Sequence, residues 1–303
     1  MSNTDIMKNK YLKYKTKYIN LKKLSGGVIT QEEQLCAVCP TRDIVIKQLE
    51  EIVKQVPSNC IKYTFIPDEL NSRFLEYFKS NPYSSLDDNL TKEYENFLKI
   101  TFFDNKDTPM NTQPRLITTS YRDFLQNSSS ITWHQDTEVQ NKTFYNILYY
   151  LTLDNCRPDC GTDIAFRNSP ESEIITIRLP VIQGLILALK DDCFAHKSPV
   201  VSLIDPEKLG TRLIIRTYAK FEESDQIMNR NASVQDLIYD LNLKKLKDCL
   251  KEYFSETIDK SKKTDCYNFF KYYWRIVKNY PDDDYYKEFS KYFSEHDDFF
   301  KQL

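Results

Sequence analysis

The feature that most constrains the fold is a block of eight short segments, in the middle of the chain, in which apolar and polar residues alternate. The segments lie at 116–121, 131–133, 144–153, 163–166, 173–178, 184–189, 198–203 and 211–218. Alternation at every second residue is typical of strands, and turn-forming residues such as Gly161 and Pro180 separate the segments. Because the pattern does not alternate strands with helices, it predicts an antiparallel sandwich, barrel or jelly roll rather than a parallel sheet.

Helical periodicity flanks this block on both sides. Before it, apolar residues recur at helical spacing from Thr41 to about Val56 and from Pro67 to Phe103, with a break at Asn81 and Pro82. After it, the same spacing returns from Ser233 to Leu303. We therefore expect an α+β protein whose helices pack their aromatic faces against a central β-structure.

Charge and hydropathy exclude several classes of protein. The formal net charge of -2 gives no general attraction to nucleic acid or to anionic membranes. No apolar run approaches the ~18 residues of a membrane span, and no secretory signal is expected at the N-terminus, so we predict a protein that is made and kept in a cytosol. In that compartment the eight cysteines are expected to be thiols rather than disulfides.

The first 25 residues combine lysines with Tyr11, Tyr14, Tyr18 and Leu21 at helical spacing, and a double glycine follows at 26–27. This pattern predicts a short basic helix that either binds an anionic partner or is simply solvated. The segment resembles the leader of many proteins from amoeba-infecting giant viruses of the mimivirus type. The resemblance implies a viral origin, with host cytoplasm (the viral factory) or the virion as the expected location.

A candidate metal site lies inside the strand block. A single residue separates His134 from Asp136, so on a strand their side chains point to the same side. His196 follows a second strand-like segment, whereas His296 lies in a charged stretch where solvation explains it. Two histidines and one carboxylate form the ligand set that holds non-haem Fe(II) and leaves coordination positions open.

Two arginines follow in the last strand-like segment. Arg212 and Arg216 would share one face of a strand with Ile214. An arginine on the inner face of an apolar strand needs an anion, because an unpaired buried charge costs several kcal/mol. The planar, bidentate donors of arginine suit a carboxylate. A metal with open positions beside a carboxylate receptor would serve an oxygenase that uses a keto acid.

The region from Leu116 to Phe221 resembles the Fe(II)/2-oxoglutarate-dependent dioxygenase superfamily. The family pattern, in order, is H-x-D, a strand ending in Tyr-Leu, a Gly-containing turn into a strand ending in Phe, a Pro-x-x-Gly turn, and a distal His followed by Arg. The corresponding residues here are His134–Asp136, Leu148–Leu153, Cys160–Phe166, Pro180–Gly184, His196 and Arg212.

The resemblance implies a double-stranded β-helix (a jelly-roll or cupin-like core) and a role for each matched residue. His134, Asp136 and His196 would bind Fe(II), and Arg212 would bind the distal carboxylate of 2-oxoglutarate with help from Tyr150. Arg216 stands where one branch of the family contacts an anionic substrate, and it is also an alternative anchor for 2-oxoglutarate. The implied reaction uses O2 to hydroxylate or demethylate a substrate while 2-oxoglutarate is converted to succinate and CO2.

We expect four parts in the chain: a basic leader (1–30), an N-terminal helical part (31–108), the β-core (109–222) and a C-terminal helical extension (223–303). A peptide or protein side chain, or a small anionic metabolite, is favoured over nucleic acid as substrate because the chain is not basic. Two alternatives stay open. One is a non-catalytic jelly-roll protein that binds a ligand or builds a virion, and the other is a metal-dependent cupin-like activity without 2-oxoglutarate.

Overall fold

A computed structural model describes residues 41–81, 86–104, 107–118, 132–136, 139–153, 161–169, 171–197, 211–255, 260–279 and 286–301. The predicted leader and the predicted strand at 198–203 lie outside these ranges, so both stay predictions. Within them the chain is a mixture of helices and antiparallel sheets, which confirms the expected α+β class. No helix in the described ranges is long and apolar enough to cross a membrane.

The N-terminal part of the described chain contains three helices: α1 (Arg42–Gln55), α2 (Asp68–Ser80) and α3 (Asp88–Leu98), which continues into a π-helical turn (Lys99–Phe103). Their starts follow from local sequence. The Thr41 hydroxyl accepts from the Ile44 amide before α1, and the Asp87 carboxylate accepts from the second and third amides that follow it, before α3. Each helix buries one apolar stripe, as the periodicity predicted.

In the described residues, eight strands form two antiparallel sheets. A five-stranded sheet has the order β1-β6-β3-β8-β2, and a three-stranded sheet has the order β5-β4-β7. The strands are β1 (Ile61–Phe65), β2 (Met110–Thr118), β3 (Lys142–Leu153), β4 (Asp163–Phe166), β5 (Ile175–Arg178), β6 (Leu185–Lys190), β7 (Ala195–Lys197) and β8 (Thr211–Glu223).

Each face of the five-stranded sheet is covered by a different apolar cluster. On one face, α2 and α3 pack against side chains that include Tyr149 and Ile215. On the other face, Tyr150 and Ile214 join residues of the three-stranded sheet and of α1. We call this second face the inner face, because it lies between the two sheets. Adjacent residues of β3 and β8 therefore point to opposite clusters, as the two-residue period requires.

The C-terminal part consists of α4 (Asp225–Tyr253), α5 (Lys260–Asn279), α6 (Lys287–Glu295) and α7 (Asp297–Phe300). Helix α4 packs on the three-stranded sheet through Val234, Leu237 and Ile238, which contact Trp133 and the small residues of β4 and β7. Its second half joins the other three helices in an aromatic cluster of their own.

The structure differs from the sequence prediction in several elements. The strand β1 was not predicted, although its partner β6 was; a short edge strand between two helices has too few residues for a periodic signal. Strand β8 continues to Glu223, and helix α4 begins at Asp225 instead of near Ser233. Within the added part of β8, Lys220 has a positive φ of 55°, a local irregularity that the residue pattern does not indicate.

The expectation of free thiols is wrong for four cysteines. Cys60 is bonded to Cys193, and Cys249 is bonded to Cys266. The pairing of β1 with β6 brings Cys60 beside the 3-10 helix Asp191–Cys193, with a Cα–Cα distance of 6.0 Å. This proximity depends on a contact between residues 133 positions apart. The expectation of free thiols, which came from the expected cytosolic location alone, could not predict it.

Removing the Cys60–Cys193 bond, by Cys60→Ser with Cys193→Ser, is expected to lower the free energy of unfolding by about 2–5 kcal/mol. The bond closes a loop with a separation of 133 residues and so restricts the unfolded chain strongly. Urea unfolding with and without reductant measures the loss. The matched control removes the Cys249–Cys266 bond, whose separation is only 17. Eight alkylated thiols in a denatured, non-reduced sample would contradict both bonds.

Candidate metal centre

The structure brings three residues that the sequence singled out, His134, Asp136 and His196, into one cluster. One nitrogen from each histidine and one carboxylate oxygen lie within 4.8 Å of one another. His134 Nε2 is 3.9 Å from Asp136 Oδ1, and His196 Nε2 is 3.3 Å from Asp136 Oδ2. His296 is not part of this cluster; its ring stacks on Phe254 in the C-terminal helices.

The two histidines are joined through their backbones. The His134 amide donates to the His196 carbonyl at 3.0 Å, and the His196 amide donates back to the His134 carbonyl at 2.9 Å. This isolated antiparallel bridge extends the edge of the three-stranded sheet at β7. The strand expected at 131–133 is therefore wrong over its described residues 132–133, because only His134 pairs. The bridge places the centroids of the two imidazole rings 4.4 Å apart.

The contacts of the two rings leave both Nε2 atoms directed at Asp136. His134 Nδ1 is 2.8 Å from the Thr132 carbonyl, which can only accept. The proton is therefore on Nδ1, and Nε2 has a free lone pair in the neutral ring. His196 Nδ1 faces the buried Asp191 carboxylate at 4.0 Å. In both rings the Nδ1 side faces the protein and the Nε2 side faces the cluster, as in metal-ligating histidines.

The Asp136 carboxylate is held by two side chains from the inner face of the five-stranded sheet. Asn146 Nδ2 donates to Oδ2 at 2.7 Å, and the Arg216 guanidinium donates to the same oxygen. Arg216 Nε also donates to Asn146 Oδ1 at 3.2 Å, so the two side chains fix each other. The Asp136 amide donates to Asp191 Oδ1 at 3.2 Å. Both the backbone and the side chain of Asp136 are thus anchored.

Burial and neighbouring charges shift the pKa of all three groups. Burial, together with the charge of His196, lowers the pKa of His134 to about 4. Burial alone would raise the pKa of the Asp136 carboxyl, but the hydrogen bond and charge of His196, with Arg216, hold that pKa well below its usual range. Burial alone would lower the pKa of His196, yet the Asp136 carboxylate raises it. At neutral pH His134 is therefore neutral and Asp136 is ionised.

This donor set fits a divalent transition-metal ion. A cation bound about 2.1 Å from each donor, with angles near 90°, separates neighbouring donors by about 3 Å. The three donors, one from each residue, lie within 4.8 Å of one another, so metal binding would require them to move closer by up to about 2 Å. Two imidazoles and one carboxylate suit Fe(II), and three ligands on one face leave positions for exchangeable groups. Of the three side chains His134 is the most exposed, at 32%.

The other predicted site residues lie on β3 and β8. Tyr150 is fully buried on the inner face, and its hydroxyl is 3.1 Å from that of Thr162. Arg212 lies in β8 opposite Leu153, and its side chain is outside the described part of the structure. Arg216 lies two residues after Ile214 in β8, opposite Leu148. Its guanidinium carbon is 4.4 Å from the centroid of the Tyr218 ring.

Sequence reasoning missed Asn146 and Asp191, both of which are buried beside the cluster. A signal for Asn146 was present, because asparagine is depleted in strands and this one interrupts the apolar run of β3 on the same face as Tyr150. Asp191 had a weaker signal. It is one of two adjacent aspartates after an apolar strand, where exposure is the usual outcome.

Comparison with protein-family models and with curated proteins finds no match to this chain. Among solved structures, the chain is similar to a prolyl-4-hydroxylase from Pseudomonas putida. The superposition has a TM-score of 0.34 with 10% sequence identity, and it covers 60% of this chain and 97% of that protein. A TM-score of this size carries no argument about function, so the functional interpretation depends on the metal cluster itself.

Proposed function

We propose that the protein is an Fe(II)- and 2-oxoglutarate-dependent dioxygenase. The observation that supports this most strongly is the convergence of His134, Asp136 and His196, with both Nε2 atoms directed at one carboxylate. Separate histidines in a binding or structural protein would have no reason to converge on a carboxylate that two further side chains hold in place. The convergence therefore favours a metal-dependent enzyme over the non-catalytic jelly-roll alternative.

We further propose that residues 109–222 form a double-stranded β-helix, with the helical part 31–108 packed against it and 223–303 as an extension. The two antiparallel sheets and the apolar cluster between them support this proposal. The position of the metal cluster at one end of the inner face also supports it, since a cavity between two sheets is where such a core binds its ligands.

In this proposal the residues of the protein fix the positions of the metal ligands, balance the charge of the metal and keep most of the site away from water. Bound Fe(II), with 2-oxoglutarate and O2, would supply the oxidising chemistry. His134 and His196 would each offer Nε2, and Asp136 would offer the one anionic ligand. Asn146 and Arg216 orient that carboxylate, whose side chain is only 15% exposed.

The binding of 2-oxoglutarate is assigned to Arg212, with Tyr150 as a secondary contact. Arg216 is already engaged by Asp136 and Asn146, which favours Arg212 as the anchor for the distal carboxylate. Arg216 lies beside the metal ligands, where it would contact an anionic group of the substrate. A peptide or protein side chain, or a small anionic metabolite, remains the proposed substrate class, with hydroxylation or demethylation as the reaction.

An anaerobic titration with Fe(II) and 2-oxoglutarate tests the proposal. The wild-type protein is expected to develop a visible charge-transfer absorption when both are present, and neither should produce it alone. Succinate release under air then measures turnover. Absence of the absorption, together with no retention of iron after gel filtration, would favour the binding or structural alternative. Metal binding without the absorption would favour cupin-like chemistry.

A further inference from the structure

Helix α4 directs three amide side chains, Asn231, Gln235 and Asn242, at the segment that contains two of the metal ligands. Their spacing of four and seven residues puts them on one face of the helix, together with the apolar residues that pack on Trp133. Asn231 and Asn242 are 3% and 0% exposed. Asparagine is unfavourable inside a helix, and a buried amide is costly unless it is hydrogen-bonded. Such residues call for a specific partner.

The partner of Asn242 is the backbone of Trp133, next to His134. The Trp133 amide donates to Asn242 Oδ1 at 3.2 Å, and Asn242 Nδ2 donates to the Trp133 carbonyl at 3.0 Å. These two bonds fix the peptide groups on both sides of Trp133. Because the second of these groups includes the His134 amide, the bonds also set the direction in which the His134 side chain leaves the backbone.

The partner of Asn231 is Gln135, which lies between the two ligands. Gln135 Nε2 donates to Asn231 Oδ1 at 2.6 Å and to the Asp191 carbonyl at 3.0 Å, and Gln235 donates to Gln135 Oε1 at 2.9 Å. Asn231 also donates to the backbone carbonyls of residues 140 and 142. The hydrogen bonds therefore run from α4 through Gln135 to the backbone carbonyl of Asp191. The side chain of Asp191 in turn accepts from the Asp136 amide.

The sheets give this segment little support in the described structure, although Asp191, Asn146 and Arg216 hold Asp136 at its end. Between residues 132 and 136 the backbone joins a sheet only at the His134–His196 bridge. A single bridge pair does not define the orientation of the residues on either side of it. The amides of α4 add restraints at the Trp133 and the Gln135 positions.

We propose that Asn242 and Asn231 are positioning residues that hold His134 and Asp136 in metal-binding geometry. Helix α4 is then a structural part of the metal centre, although it lies outside the β-core. This inference rests on the proposed metal-dependent function. Loss of such supporting hydrogen bonds typically weakens metal binding about 10- to 100-fold.

The test uses Co(II), whose visible d–d absorption reports ligand geometry as well as affinity. Asn242→Leu and the milder Gln135→Ala are each expected to weaken Co(II) binding about 10- to 100-fold and to alter the absorption. Gln135→Ala leaves the Asn231 bonds to the backbone intact, so it tests the link if Asn242→Leu fails to fold. The matched control is Leu246→Ala, which creates a cavity on α4 in the separate C-terminal cluster.

The control is expected to lower the melting temperature while keeping wild-type Co(II) affinity and absorption. Wild-type affinity and absorption in both test variants would overturn the positioning role, and so would an equal loss of affinity in Leu246→Ala. If the wild-type protein itself binds no Co(II), the proposed function fails and this inference fails with it. Binding in wild type with unaffected variants overturns only the inference.

Discussion

Asp136→Ala is expected to weaken Fe(II) or Co(II) binding by more than about 100-fold and to abolish 2-oxoglutarate turnover, since even supporting residues cost 10- to 100-fold. The change removes the one anionic ligand of the three. It also leaves the Arg216 guanidinium, 13% exposed, beside the site without its carboxylate partner, and that positive charge repels a metal cation. Isothermal titration calorimetry with Co(II) measures the affinity, and succinate release measures the turnover.

Two further variants, one of a second proposed ligand and one control outside the cluster, separate loss of a metal ligand from a general loss of folding. His134→Ala removes a ligand without leaving an unpaired arginine, so it should lose metal affinity even if Asp136→Ala folds poorly. Asp163→Ala removes a buried carboxylate that pairs with Arg178 and lies outside the metal cluster, so it should bind metal like wild type. Unchanged Co(II) affinity in Asp136→Ala and His134→Ala would show that the metal site is assigned wrongly.

Arg212→Ala is expected to raise the KM for 2-oxoglutarate by about 30- to 1000-fold, while metal binding persists. The change removes a bidentate, charge-assisted contact with a carboxylate, worth about 2–4 kcal/mol, and 1.4 kcal/mol corresponds to a factor of ten. Titration of the charge-transfer absorption with 2-oxoglutarate, at saturating Fe(II), separates this loss from a loss of metal.

Arg216→Ala provides the matched comparison. Because Arg216 donates to Asp136 and to Asn146, its removal should change metal affinity and ligand geometry first, with a smaller effect on 2-oxoglutarate. The opposite result, a large rise in KM from Arg216→Ala and none from Arg212→Ala, would assign the 2-oxoglutarate anchor to Arg216.

The features that sequence analysis predicted well depend on neighbouring residues. Helix α1 begins after Thr41 because that hydroxyl caps it, and β3 and β6 follow from their runs of apolar residues. The α+β class and the antiparallel arrangement follow from the order of such elements. His134, Asp136 and His196 were identifiable because histidine and aspartate at this spacing have few other uses inside an apolar block.

The features that it missed depend on residues far apart in the chain. The edge strand β1 exists because β6 offers it a partner, and the same pairing brings Cys60 to Cys193. Asn146 and Arg216 contact Asp136 only because β3 and β8 lie side by side and direct both side chains at it.

The sequence by itself therefore determined most of the local elements, their order and the chemical types of the candidate metal ligands, because periodicity, caps and residue chemistry act over a few residues. Only the tertiary structure decided which side chains orient those ligands. The clearest case is α4, where Asn231 and Asn242 read as ordinary helix residues until the fold buries them against the segment at 132–136. Burial makes their hydrogen bonds obligatory, and burial is a property of the whole chain.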